Sequence, residues 1–142
     1  MKAIDPVVGV WEYNSEKSKY INPPTPFTYK SATRTYTQDS EGISSSIKAI
    51  LADGSPFSEG MTSLKIDGKY HPHWGNSFID TMAYERVDTH TCVYTAKKGD
   101  KVIGGGTRAI SPDGKVLRMT FIYTDAEGIV RGHVTHYDRQ EG

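Results

Sequence analysis

Glycine-containing turn pairs recur at short intervals along this 142-residue chain, and they constrain its fold more than any other feature. Asp-Gly and related pairs supply the positive φ angles that tight hairpin turns require. Between the pairs lie runs rich in Thr, Val, Ile and Tyr, which suit the pleated, half-buried surface of a β-strand. The pairs are Glu41-Gly42, Asp53-Gly54, Asp67-Gly68, Lys98-Gly99, Asp113-Gly114 and Glu127-Gly128.

The runs between these turns predict nine or ten strands and little helix. The best match to a helical apolar stripe, Ser44 to Leu51, is followed at once by Asp53-Gly54. Strands linked by hairpins in one domain, residues 1–142, hide their edges best by closing into a barrel. We therefore predict a single all-β, antiparallel up-and-down barrel, with a β-sandwich as the alternative. The approximate strands are residues 7–14, 28–37, 43–51, 57–66, 80–86, 91–97, 101–110, 116–124 and 129–138.

Composition narrows the classes of partner. Lys+Arg and Asp+Glu number 17 each, so the formal charge is zero, and no basic run is present to bind a nucleic-acid backbone. No stretch approaches the roughly 20 apolar residues of a membrane helix, so neither nucleic acid nor a membrane is expected as a partner. Cys92 is the single cysteine, and the first residues lack the apolar run of a secretory signal. These features predict a cytoplasmic location.

The stretch from Gly9 to Ser18 has the order Gly-x-Trp-x-x-Asn-x-x-Lys-Ser. This order resembles the opening of a group of small bacterial lipocalin-like domains, and further matches continue to Tyr137-x-Arg139. The resemblance implies a calycin-type barrel whose lumen holds one small, mostly apolar molecule. It also implies that Trp11 closes one end of the barrel, with Arg139 stacked on its indole. Because the group has no single known chemistry, the resemblance implies no reaction.

The segment HPHWGNSFID, residues 71–80, contains two histidines that could bind a metal ion. His71 and His73 are spaced so that both would project to one side of an extended chain. A catalytic site needs a third ligand, which His133, Glu85 or Asp80 could supply. Nothing in the spacing requires this arrangement, so we predict neither a metal ion nor a cofactor.

Two other interpretations of the same segment remain open. In the first, it is a solvated loop in which Trp74 covers some apolar surface. In the second, it crosses the mouth of the lumen, with Trp74 over the cavity and His73 or Asn76 in reach of a ligand's polar group. We favour the second, because a large indole in so polar a segment needs apolar surface to cover.

The strands near the end of the chain supply the other lumenal candidates. In the strand 116–124, the larger and more apolar alternate residues are predicted to face the lumen, while Arg118 and Thr120 point outward. The lumenal set is Leu117, Met119, Phe121 and Tyr123. The alternation of the last strand leaves open whether its inner set is Arg131, His133, Thr135 and Tyr137 or Val130, Gly132, Val134 and His136.

Two functions fit this barrel. We favour a cofactor-independent lyase, isomerase or cyclase that shapes a small lipophilic or aromatic molecule, because ionisable and phenolic side chains are frequent on the strands. The alternative is a carrier or sequestering protein for an apolar ligand; a homodimer is compatible with both. The predicted catalytic residues are His133, Tyr123, Tyr94, Glu85 and His73. The predicted ligand-binding residues are Trp74, Asn76, Tyr84, Met119 and Phe121.

Overall fold

The computed structural model describes residues 4–23 and 28–140, which form ten β-strands in one antiparallel sheet. The predicted all-β fold is confirmed, and the extra strand is β5, inside a segment for which no strand was predicted. Within the described ranges there is no helix long and apolar enough to cross a membrane. The strands are β1 (Gly9–Ile21), β2 (Tyr29–Asp39), β3 (Gly42–Leu51), β4 (Pro56–Leu64), β5 (Tyr70–Pro72), β6 (Thr81–Asp88), β7 (Thr91–Lys98), β8 (Lys101–Ile110), β9 (Val116–Thr124) and β10 (Val130–Gln140).

The sheet is an up-and-down meander that curls back on itself. Its strand order is β4-β3-β2-β1-β10-β9-β8-β7-β6-β5, so β4 and β5 are the two edges. An isolated bridge joins these edges. The Gly60 N–H donates to the Trp74 carbonyl (3.1 Å), and the Trp74 N–H donates to the Gly60 carbonyl (2.9 Å). The predicted barrel is therefore nearly closed, and we call this two-bond bridge the seam.

Five of the six turn pairs form hairpin turns as predicted, whereas Asp67-Gly68 connects β4 and β5, the two edges of the sheet. All six glycines of those pairs have φ angles between 58° and 132°, in the region that favours glycine. At many of the turns an aspartate also accepts a hydrogen bond from the backbone N–H two residues later, which is the local Asx-turn pattern. These aspartates are Asp39, Asp53, Asp67, Asp88, Asp113 and Asp125.

The end of the barrel opposite the β9–β10 turn is closed by Trp11 and Arg139. The indole is fully buried, and the guanidinium carbon of Arg139 lies 4.1 Å from the ring centroid. Arg139 also donates hydrogen bonds to the carbonyls of Val8 (2.8 Å) and Gly114 (2.6 Å). The predicted stack is confirmed, and it ties β1, β10 and the β8–β9 turn together.

The predicted register of β9 is also confirmed. Leu117, Met119 and Phe121 are buried and Arg118 is exposed, although Tyr123 is half-buried. In β10 the structure decides between the two open alternatives, because His133 and Tyr137 belong to the inward set. The inward faces of β9 and β10 therefore place Phe121, Tyr137 and His133 inside the barrel.

Candidate functional site

The lumen contains a cavity of about 60 Å³, which has room for a few water molecules or one small polar group. Six of the ten predicted site residues line it, and the cavity wall combines aromatic, aliphatic and ionisable side chains. The lining residues are Tyr29, Arg34, Glu59, His73, Ile79, Met82, Tyr84, Tyr94, Met119, Phe121 and His133.

Four predicted site residues do not line this cavity, although one of them, Asn76, is buried and contacts the lining residue Glu59. Glu85 was expected in the lumen, which is wrong: it is exposed on the outer face of β6. Trp74 does not cover the cavity, because its side chain is 43% exposed and its backbone forms the seam. Tyr123 lies further out, at the mouth of the barrel. For Glu85, the neighbouring residue Tyr84 faces the lumen instead.

Glu59 is the central residue that the sequence did not single out. It lies on β4 with its side chain 11% exposed, and its Oε2 accepts hydrogen bonds from His73 Nε2 (2.9 Å) and Asn76 Nδ2 (2.7 Å). Burial alone would raise the pKa of Glu59, but the hydrogen bond and electrostatic interaction with His73, the hydrogen bond from Asn76 and the positive charge of Arg34 outweigh it, so the pKa is lowered. The lumen therefore contains a negative carboxylate at neutral pH.

His73 is held in one orientation by this carboxylate. Since an ionised carboxylate can only accept, Nε2 of His73 carries the hydrogen that Glu59 binds. The other ring nitrogen, Nδ1, is buried and has no hydrogen-bond partner among the described residues. When the ring is neutral, with its hydrogen on Nε2, Nδ1 is a bare acceptor.

Arg34 brings the opposite charge into the lumen from β2. Its Nη2 donates to the Tyr137 hydroxyl (3.4 Å), and its guanidinium carbon lies 5.1 Å from the centroid of that ring. Its Nε atom is buried and lacks a hydrogen-bond partner within the described part of the chain. The cavity thus has one unsatisfied donor on Arg34 and one unsatisfied acceptor on His73.

His133 is kept neutral by its surroundings. Burial, followed by the nearby charge of Arg34, lowers the pKa of this imidazole to about 4, against a smaller opposing effect of Glu59. A proton acceptor with so low a pKa is a weak base near neutral pH. Tyr94 is also engaged, since its hydroxyl donates to the Thr120 carbonyl.

A second, larger pocket opens at the mouth of the barrel, at the end that holds the β5–β6, β7–β8 and β9–β10 connections. Its volume is about 290 Å³, and Phe78, Ile103 and Tyr123 give it a largely apolar wall. Phe121 lines both this mouth pocket and the lumenal cavity. Phe121 is therefore the residue at which the polar lumen and the apolar mouth adjoin.

His71 and His73 do not point to one common position, as two ligands of a metal ion would. His71 contacts Asp67 through Nε2 (3.0 Å), while His73 contacts Glu59, so the two imidazoles bind different carboxylates. Across residues 4–23 and 28–140, no three His, Cys, Asp or Glu side chains form a group that could hold a metal ion.

Comparison with known proteins supports the fold. No protein-family model matches the chain, and no curated protein matches it significantly in sequence. The crystal structure of the zebrafish ileal bile acid-binding protein with cholic acid superposes with a TM-score of 0.53 and 12% identity. The match covers 95% of this chain and 99% of that one. This likeness shows the fold alone, an antiparallel up-and-down β-barrel, and the resemblance of the chain to the small bacterial lipocalin-like domains stays a prediction.

Proposed function

We propose that this barrel binds one small lipophilic molecule, which it carries or sequesters. The observation that carries the proposal is the apolar mouth pocket, which shares the lining residue Phe121 with the polar lumenal cavity. A concave apolar wall with a few polar groups beyond it is the usual form of a small-molecule site. The likeness in fold to a protein whose name describes bile acid binding agrees with this function.

The sizes of the two spaces suggest how a ligand would lie. The lumenal cavity, about 60 Å³, is far below the roughly 300 Å³ at which ligand pockets begin. The mouth pocket, about 290 Å³, is close to that limit. A ligand with its apolar body in the mouth and one polar group in the lumen would use both, once the Phe121 ring turns aside.

Catalysis is the second candidate function. The observation that favours it is the oriented His73 ring, whose free Nδ1 could accept a proton from a substrate. Against it, the Tyr94 hydroxyl is already engaged and His133 is a weak base. A carrier is therefore better supported, and a cofactor-independent lyase, isomerase or cyclase stays a prediction.

A fluorescence titration with the neutral probe N-phenyl-1-naphthylamine tests the binding function. We expect the wild-type protein to bind the probe and Ile103→Asp to bind it at least tenfold more weakly, about 1.4 kcal/mol, because a carboxylate would enter the apolar mouth. The matched control is Val102→Asp, which places the same charge on the exposed neighbour of Ile103, 53% exposed on the outer face. Absence of wild-type binding, or an equal loss in both variants, would contradict the proposal.

A further inference from the structure

The charges around the lumenal cavity nearly cancel. Arg34 is positive and Glu59 negative, and both line the same space of about 60 Å³. His133 is neutral because burial lowers its pKa to about 4. Burial likewise raises the pKa values of Tyr29, Tyr84 and Tyr94, so these phenols are also neutral. An anion in this cavity would be attracted by Arg34 and repelled by Glu59, without net compensation for its lost hydration.

The unsatisfied hydrogen-bonding groups of the cavity are of both kinds. Arg34 Nε–H is a buried donor, and Nδ1 of the neutral His73 ring is a buried acceptor. Neither atom has a partner among the described residues. Leaving such a group unsatisfied costs about 1–3 kcal/mol. A ligand group that both accepts and donates would satisfy the two at once, whereas a carboxylate can only accept.

From this geometry we infer that the lumen selects a neutral head group with both a donor and an acceptor, such as a carboxamide or a hydroxyl, and rejects a carboxylate. This inference rests on the proposed binding function and specifies its ligand class. Glu59 is the residue that sets the selectivity, because its charge balances Arg34 and its carboxylate fixes the tautomer of His73. The apolar body of the ligand lies in the mouth pocket, beyond Phe121.

A matched pair of ligands tests the inference: octanamide and octanoate, which share one chain and differ in head-group charge. By isothermal titration at pH 7.5, the wild-type protein is expected to bind octanamide at least tenfold more tightly than octanoate. Glu59→Gln keeps a carbonyl oxygen to accept from His73 and Asn76 but removes the charge. In this variant octanoate should gain at least tenfold in affinity, because Arg34 is no longer balanced.

The control is Glu85→Gln, which removes the same charge from the exposed face of β6 and should leave both affinities unchanged. Wild-type protein that binds octanoate as tightly as octanamide would overturn the inference, whatever the variant does, while leaving the binding function intact. A Glu59→Gln variant that folds but gains nothing for octanoate would also overturn it. If neither ligand binds and N-phenyl-1-naphthylamine does not bind either, the proposed function itself fails.

Discussion

Replacing Gly60 by valine is expected to lower the free energy of unfolding by about 4 kcal/mol, the combined effect of overpacking and two lost hydrogen bonds. A Cβ at this position would lie 2.1 Å from the Ser45 carbonyl oxygen and 2.9 Å from Cζ2 of Trp74. Since the first of these contacts is with backbone, β3 and β4 must separate to make room. The seam would then open, because both of its hydrogen bonds involve the Gly60 backbone.

Urea unfolding measures the loss, and probe titration shows whether the opened barrel still binds. The matched control is Thr62→Val on the same strand, where the side chain is exposed and the change should stay within about 0.5 kcal/mol. If Gly60→Val were as stable as Thr62→Val, the seam would not be what holds the barrel closed.

Acid sensitivity is the second large expected effect, and it depends on His133. The unfolded chain protonates this imidazole near pH 6.5, but the folded protein does so only near pH 4. Between these values the unfolded state binds more protons, so stability falls as the pH falls. His133→Phe removes the titrating group and keeps an aromatic ring of similar size in the lumen. Between pH 7 and pH 4.5, the wild-type protein should therefore lose about 2.5 kcal/mol more stability than the variant.

Denaturant unfolding at a series of pH values measures the difference. His90→Gln is the control, since His90 lies in the β6–β7 turn, away from the lumen, and should leave the acid sensitivity unchanged. Parallel losses of stability in wild-type protein and His133→Phe would contradict the buried, neutral state of His133.

The fold could be predicted because its signals are local. An Asp-Gly pair such as Asp113-Gly114 carries its own turn geometry, and the apolar alternation of β9 sets its inward face. The seam could not be predicted in the same way. Gly60 and Trp74 are far apart in the sequence, and their bridge uses only backbone groups. No pattern of side chains therefore predicts it.

The candidate site was predictable in part. Tyr84 and Glu85 were both expected at the site, although successive residues of a strand face opposite sides, so only Tyr84 lines the lumen. Glu59 carried a usable signal, since it alternates with Phe57 and Met61 on the inward face of β4. A buried carboxylate is unfavourable without partners. Its partners, His73 and Asn76, lie 14 and 17 residues away, so no local pattern shows the hydrogen bonds that stabilise it inside.

The central claim is that the lumen and the mouth pocket form one binding site. Comparing the NMR chemical shifts of the methyl groups in the free protein and in the protein saturated with octanamide tests this claim. We expect large shifts for Met82 and Met119 in the lumen and for Ile103 in the mouth. Val87, exposed on β6 away from both spaces, should not move. Shifts that are confined to the mouth, or that appear on Val87 as strongly as in the lumen, would contradict a single site running through Phe121.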